Sequence, residues 1–408
     1  MSNQAYDVLI IGAGPAGTSA AMALHRSSLS VALVDRESFP RDKICGDALS
    51  ADVINQLKKL SPELAQSFER LTIATPSGGV RIVAPNNHAI DIPFRAGRDR
   101  QQGYVCRRTD FDLLMLAEAR KSSNVTVLES CTVNDIHMTS DVVIAETTHG
   151  KIDAKVIIGA DGAHSVVKRK LASSKIKRHY HSAGLRMYHQ LMDGFTAENF
   201  IELYFLRDIL PGYLWIFPLP DGYANVGIGM LTSTISTKGI NLNKTFHQLL
   251  STHPLLRSRF RNAVGLEPPR GHGLPLGGTA RVMSGERFLL TGDAAALIDP
   301  FSGEGIANAI RSGRFAAEQI LQSFRKNNFG AQEMRRYDDT MNKMLGKEFS
   351  VSYNMLRLAK YPWLFNTIVD KANRNKQLHQ VLIDALAFPD KKGWLISPGF
   401  YFNLLFRS

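Results

Sequence analysis

Gly12, Gly14 and Gly17 stand in "IIGAGPAGTSAAMAL", between an apolar run and a run of small helix formers. Where a strand feeds a helix, this spacing suits a dinucleotide. The first glycine permits a tight turn, the second lets a pyrophosphate approach the backbone, and the third lets helix and strand pack closely. Asp35 closes the next apolar segment, "VALVD", where a carboxylate can bond ribose hydroxyls, and Arg36 follows it. Asp293 follows a second apolar strand in "RFLLTGDAA", and "PFSGEG" (Pro300 to Gly305) precedes a helix opening at Ile306. Pro300, Gly303 and Gly305 shape that loop. A helix N-terminus offers free N–H groups and partial positive charge. That suits an anionic reduced isoalloxazine better than a neutral nicotinamide. Asp161 and Gly162, in "IIGADGAHSVVKR", form a third signal, which alone reads as an ordinary strand-to-helix turn.

Two stretches suggest a reacting face. "DKICGDALS" places Cys45 among an apolar residue, a glycine and an acid. It reads as a packed thiol, a metal ligand or part of a reaction site. The three cysteines, Cys45, Cys106 and Cys131, form no CxxC pair and no Cys/His cluster with zinc spacing, so no metal is expected. "GYLWIFPLPDGYANVGIGM" reads as a hairpin of two strands, 213–217 and 223–229. Strands have period two, so Tyr213, Trp215 and Phe217 share a face. That face is either a stripe packed on a core or the wall of an apolar pocket.

Strand, glycine turn, helix (16–26) and strand (31–34) make a βαβ start. Short β segments separated by Pro and Gly run from Leu71 to Phe94. Thr109 to Lys121 reads as a helix with Thr109 as N-cap. A meander of strands follows, ending in "KVIIGADG". Residues 176–275 read as mainly β with hairpins, and the chain beyond Gly330 as helical, basic and aromatic. The dinucleotide signals thus fall in three blocks separated by a β-rich module.

Composition bounds the partners. The 408 residues carry 49 basic and 37 acidic side chains, a net +12. That balance suits anionic cofactors or lipids. No basic run interleaved with aromatics supports a nucleic-acid groove, and none is expected as partner. The few cysteines suggest a reducing cytoplasm. "MSNQAYDVLIIGAG" enters a strand at once, so no signal peptide is expected. No apolar stretch is long enough to span a bilayer, leaving peripheral membrane contact through the tail. A helical cap over the core is the other reading of that tail.

Together, "GAGPAG", "GADGAHSVVKR" and "GDAA" with "PFSGEG" resemble the FAD-dependent flavoproteins of the para-hydroxybenzoate hydroxylase fold, over most of the chain to about residue 320. "KICGD" and "YLWIFP" narrow the resemblance to the geranylgeranyl reductase family, whose YxWxFP pattern fits Tyr213, Trp215, Phe217 and Pro218. The resemblance implies an α/β fold: a Rossmann-like FAD-binding domain (residues 1–70, 100–175 and 276–328), an inserted mainly antiparallel β substrate domain (71–99 and 176–275) and a C-terminal helical region (329–408). It implies FAD as cofactor and saturation of isolated double bonds in a prenyl chain, on a lipid or isoprenoid, by hydride transfer from reduced FAD. Ala16 and Asp35 would contact the ADP half. Arg108, with Arg107 as rival, would lie near the pyrophosphate or ribityl. Cys45, Gly46 and Ala48 would sit beside the flavin. Cys131 would meet the adenosine through its backbone, a core thiol being the alternative. Asp293, Gly305 and Ile306 complete the set. Many members carry a second glycine where this chain has Asp47, which bears on the loop's geometry.

Cys45, Tyr213 and Trp215 are then the candidates at the reacting face. Cys45 either supplies a proton or positions the alkene by packing. No second nucleotide fingerprint exists, so NAD(P)H would dock transiently, or a small electron-carrier protein would serve. A flavin monooxygenase or halogenase of the same fold is the rival enzyme. Halogenases carry WxWxIP and a lysine, whereas this chain has Tyr213 and Phe217, and no lysine between Lys59 and Lys121. A flavin-binding electron carrier or lipid-binding protein without turnover is the alternative outside catalysis.

Overall fold

The computed structural model describes residues 4–94, 102–172, 178–278 and 281–387. Strand Gln4–Ile11 lies inside an eight-stranded sheet, flanked by Gly150–Gly159 and Val31–Val34, both parallel to it. Phe288–Leu290 and Val125–Leu128 extend the parallel part outward. Val8, Leu9, Ile10 and all of Val31–Val34 are fully buried, as continuous apolar runs covered on both faces should be. Parallel neighbours need crossovers, and helices Pro15–Ala23 and Arg108–Ala119 lie in two of them.

Register decides where the candidate residues meet. Ile11 pairs with both Val34 and Gly159, Gly159 with Leu290, and Val34 with Leu128. Gly12, Asp35, Asp161, Asp293 and Cys131 therefore follow strands that end at one edge of the sheet. In open α/β sheets that carboxyl edge is where ligands bind.

A second eight-stranded sheet is mainly antiparallel. Its centre is His181–Gln190, Ala224–Leu231 and Gly212–Pro218, with Ile201–Tyr204, Gly79–Val83 and Ala89–Pro93 outward. Strand Gly212–Pro218 alternates. Leu214 and Ile216 pack with Phe246, Leu249 and Leu250 of helix Leu242–Thr252, while Trp215 and Phe217 pack with Val105 and Leu219 on the other face. A three-stranded sheet of Ala48–Leu49, Gly103–Val105 and Thr75–Ser77 lies between.

Two boundaries differ from expectation. The first helix is Pro15–Ala23 and does not reach Arg26, which has left-handed φ of 65°. Thr109 is not the N-cap of its helix, which begins at Arg108 after Arg107. Placing Arg108 inside the helix puts it one turn from Asp112, its buried partner.

The chain ends in helices Ala331–Leu358, Pro362–Arg374 and Lys376–Ala387. Val369, Ala372 and Leu382 pack on Ile90 and Ile92 of the edge strand, so these helices cover an exposed sheet edge. The aromatic stretch 391–408, part of the expected membrane contact, lies outside the described residues. Among the described residues no helix is long and apolar enough to cross a membrane.

Candidate active site

The glycine turn has one open side. A Cβ on Gly17 would sit 1.8 Å from the Gly12 carbonyl oxygen, and one on Gly12 2.4 Å from the Ala160 oxygen, so both are held by backbone. A Cβ on Gly14 would meet only Arg41 Nη2, at 3.5 Å. The space before Gly14, with a guanidinium above it, fits the pyrophosphate of FAD. Asp35 accepts from Ala13 N–H (2.7 Å) and from Glu37 N–H (3.0 Å), so its carboxylate also braces the turn. Cys131 donates its N–H to the Asp35 carbonyl (2.8 Å) while its thiol is buried in the main core. Arg36 points to solvent and pairs with Glu37. Ala16 is buried, its methyl next to Gly292, and packs the first helix on the Asp293 turn. Asp161 accepts from Val166 and Val167 N–H (2.6 and 3.3 Å), so one oxygen of its side chain caps a short helix.

Arg41 leads to the middle of the cleft. Its Nη1 lies 2.8 Å from Asp112, which also takes a two-pronged bond from Arg108 at 2.7 Å. Burial alone would depress the Arg108 guanidinium. Asp112, and then Cys45 beside it, outweigh that and hold it above its ordinary value. Arg108 is thus buried on Asp112, while Arg107 lies over the rings of Tyr188 and Tyr223. Of the two rivals, Arg108 is the one that shares Asp112 with Arg41.

The loop from Asp42 to Ser50 is tied along its length to the β module and to the 300–305 loop. Buried Arg186 grips Asp42 (2.6 and 2.8 Å). Asn225 donates to the Cys45 carbonyl and to Asp47 Oδ2, both at 2.8 Å. Tyr188 donates to Asp47 (2.7 Å), and Ser50 to Glu304. Trp215 Nε1 donates to Asn225 (2.9 Å), completing the brace. Asp47 has φ of 67°, a left-handed backbone that glycine adopts freely. Here its side-chain bonds hold the acid in that conformation, which is how this chain manages without the second glycine. Ala48 continues into the short strand paired with Val105.

Gly46 is where loop and aromatic face touch. A Cβ there would lie 2.8 Å from Phe217 and 3.4 Å from Trp215 Nε1. The Trp215 ring covers Gly227 on the partner strand, where a Cβ would stand 2.1 Å away. Trp215 and Phe217, 9% and 8% exposed, thus support the Cys45–Gly46 loop from beneath. Tyr213 differs, reaching across to donate to the Ser302 carbonyl (2.5 Å). Gly303 lies under the same hydroxyl, and Gly305 is the N-cap of helix Ile306–Arg325. Pro300 opens this loop, and Ile306 packs in the cluster that Cys45 joins.

Charge is concentrated at the Asp293 end. Burial alone would raise the Asp293 carboxyl, but Lys43 at 3.3 Å, with His272, outweighs it and holds it below the ordinary value. Burial, and then Lys43, push His272 down to about 4, leaving a neutral imidazole. Burial pushes Asp47 up to about 6 against the pull of Tyr188 and Asn225. Its Oδ1 has no partner among the described residues. Cys106, whose N–H donates to the Asp47 carbonyl (2.9 Å), is fully buried, and burial raises its thiol to about 12.

Sequence reasoning missed Arg41, Lys43, Asp47 with Tyr188 and Asn225, and His272. Arg41 and Lys43 lay in plain view four and two residues before Cys45. Asp47 lies two residues after Cys45, but Tyr188, Asn225 and His272 sit on strands remote in sequence, and only the fold brings them to that loop.

Residues 5–204 match the FAD binding domain, and residues 183–262 the geranylgeranyl reductase catalytic domain. The chain is 31% identical over 326 residues to menaquinone reductase of Mycolicibacterium smegmatis, covering 78% of this chain and 76% of the other. It is 29% identical to digeranylgeranylglycerophospholipid reductase 2 of Methanosphaera stadtmanae, covering 85% and 86%. Among solved structures, a geranylgeranyl bacteriochlorophyll reductase-like protein from Thermoplasma acidophilum superposes with a TM-score of 0.78 at 24% identity, covering 90% and 91%. A flavin-dependent halogenase, at TM-score 0.71 and 22% identity over 86% of this chain and 63% of that one, shares the fold alone. The cleft fits FAD, its catalytic module is the one found in reductases of prenyl chains, and the chain belongs to the geranylgeranyl reductase family of FAD-dependent flavoproteins.

Proposed function

We propose that this chain saturates isolated double bonds of a geranylgeranyl-like chain carried on a lipid or isoprenoid, at a face formed by Cys45, Gly46 and Tyr213. Reduced FAD, when bound, supplies the hydride. Gly12, Gly14 and Gly17 with Arg41 would hold the pyrophosphate, Asp35 and Cys131 the adenosine end, and Asp293 a ribityl hydroxyl. Gly303, Gly305 and Ile306 would border the ring. The chain's other tasks are orientation, water exclusion and a proton, because an unactivated alkene accepts hydride poorly. Cys45 Sγ is the proton source in this reading, with Asp47 behind the same loop as a buried acid. NAD(P)H or a small electron-carrier protein would restore the reduced cofactor.

The observation that carries the reading is the clamped Cys45 loop. Asn225 and Trp215 hold it from the hairpin side, and Ser50 ties its far end to Glu304 of the 300–305 loop. A reacting group fixed between a cofactor cleft and an aromatic module is what alkene placement requires. The test is anaerobic mixing of dithionite-reduced protein with a geranylgeranylated lipid. Flavin reoxidation, with a product two mass units heavier per turnover, is expected. Reoxidation by oxygen alone, with the lipid unchanged, would favour the monooxygenase or electron-carrier readings.

A further inference from the structure

A groove of about 630 Å³ opens where the segment before the aromatic hairpin, helix Thr232–Lys238 and the end of helix Ala331–Leu358 converge. Its rim carries Arg207, Lys238, Arg357 and Lys360, all exposed, and its lining contains no acid. None of the four has a carboxylate partner among the described residues. Lys238 bonds only the Leu210 carbonyl (3.3 Å), and Lys360 lies over the Tyr361 ring. Ser233, Thr234 and Thr237 add hydroxyl donors on one side. Four unneutralised cations and three hydroxyls around one concavity suit a phosphate or diphosphate.

The groove floor is apolar, and its side chains pack against those beside the aromatic hairpin. Leu231, Tyr353 and Leu356 pack in one cluster with Ile298 and Phe301 of the loop after Asp293. Phe301 stacks on Phe205 (6.0 Å, 14°), which leans on Tyr213 (5.6 Å). Pro211 lines the groove two residues before Tyr213, and Leu231 ends the strand paired with Tyr213's own. The aromatic face begins where the groove ends, and Trp215 and Phe217 continue it toward Gly46.

We infer that this groove holds the phosphate or diphosphate headgroup of the prenylated substrate, with the chain running over Tyr213 toward Cys45. The inference rests on the proposed function for its substrate class. The cations bind the headgroup and set the direction in which the chain enters. The apolar floor takes the first part of the chain.

Binding and turnover separate the two claims. Tryptophan fluorescence titration of the FAD-loaded protein with geranylgeranyl diphosphate and with geranylgeraniol compares one chain with and without the anion. The diphosphate binds roughly tenfold tighter or better at low salt, an advantage that shrinks as salt is added. Arg207→Gln with Arg357→Gln removes most of that advantage, leaves the alcohol's affinity within about twofold, and leaves FAD content and melting temperature near wild type. Arg207→Lys with Arg357→Lys retains most of it. Equal loss for diphosphate and alcohol, or full diphosphate affinity in the glutamine variant, overturns the inference. So does a variant that loses only co-sedimentation with phosphatidylglycerol vesicles, since the cations would then serve a membrane surface. If diphosphate-selective binding holds but reduced protein turns over no prenyl compound, the proposed function fails and the anion site stands.

Discussion

The two walls of the cleft are built on opposite terms. The cofactor wall works by what is missing: without a Cβ, Gly12 and Gly17 let turn, strand and helix close on one another, and Gly14 leaves open the space that fits the pyrophosphate. The hairpin wall works by what is present: Trp215, Phe217, Tyr188, Asn225 and Asp47 fill their space and bond one another. The first wall is local, its turn made within six residues. The second is long-range: Asn225 reaches back 180 residues to the Cys45 carbonyl. A substitution on the first wall should therefore be felt by the cofactor, and one on the second by the loop that carries the thiol.

The sharpest break is Gly14→Val. The added side chain enters the open space before the turn and displaces the pyrophosphate. FAD content, read by absorbance near 450 nm, should fall to background while the apo-protein still melts cooperatively. Gly17→Ala should behave differently, because its Cβ would strike the Gly12 carbonyl and the apo-fold itself would lose stability. Equal FAD content in Gly14→Val and wild type would show that the pyrophosphate does not lie there.

Trp215→Ala tests the other wall. It removes a buried ring and leaves Asn225 Oδ1 without its donor. Phe or Trp to Ala in a core costs about 3–5 kcal/mol. The melting temperature should drop clearly, with FAD still bound at saturating concentration and turnover lost. Trp215→Phe should recover much of the stability but not the Asn225 bond. If Trp215→Ala loses turnover with an unchanged melting temperature, the indole acts on substrate directly and is not a brace.

Legibility in the sequence followed the same divide. Glycine spacing and apolar runs are local signals, and they located the strand ends that register gathers at one sheet edge. The hairpin and its aromatic face were equally readable, because a two-residue period needs no partner. What Trp215 and Phe217 pack against beyond the hairpin was not readable, since Gly46 meets them from a loop far back in the chain. Thr109 shows the reverse error. A good N-cap residue lies inside the helix, which Arg107 caps and Arg108, paired one turn on with buried Asp112, opens. Asp47 read as a departure from a glycine pattern; its partners Tyr188 and Asn225 lie more than 140 positions away.

Cys45→Ser separates proton supply from packing. The serine keeps most of the volume and changes acidity and polarity. Reoxidation of dithionite-reduced flavin by the prenyl substrate should slow by up to about a hundredfold, the lower range for losing a positioned acid. Flavin reduction and FAD content should stay near wild type. If Cys45→Ser and Cys45→Ala both reoxidise at the wild-type rate, Cys45 is a packing residue.

The smallest expected effect is on stability against pH, and it isolates the buried acid of the hairpin wall. Burial holds the Asp47 carboxyl at about 6 in the folded protein, against an ordinary 3.8. Between those values the folded chain keeps a proton that the unfolded chain has lost. Asp47's contribution to stability therefore falls as pH rises from about 4 to about 6, and is level outside that window. The span of two units corresponds to about 3 kcal/mol at most. His272 runs the other way: held neutral down to about 4, it costs stability as pH falls below its ordinary 6.5. The wild-type profile mixes both slopes. Subtracting it from that of Asp47→Asn, with FAD saturating, cancels the histidine and leaves the acid. The difference in melting temperature, variant minus wild type, should become more positive as pH rises from 4 to 6, and then level off. A difference that stays flat across the window would mean that Asp47 is already ionised at pH 4, with Tyr188 and Asn225 stabilising the carboxylate enough to offset its burial. The acid would then be a fixed brace for the Cys45 loop and no reserve of protons behind it.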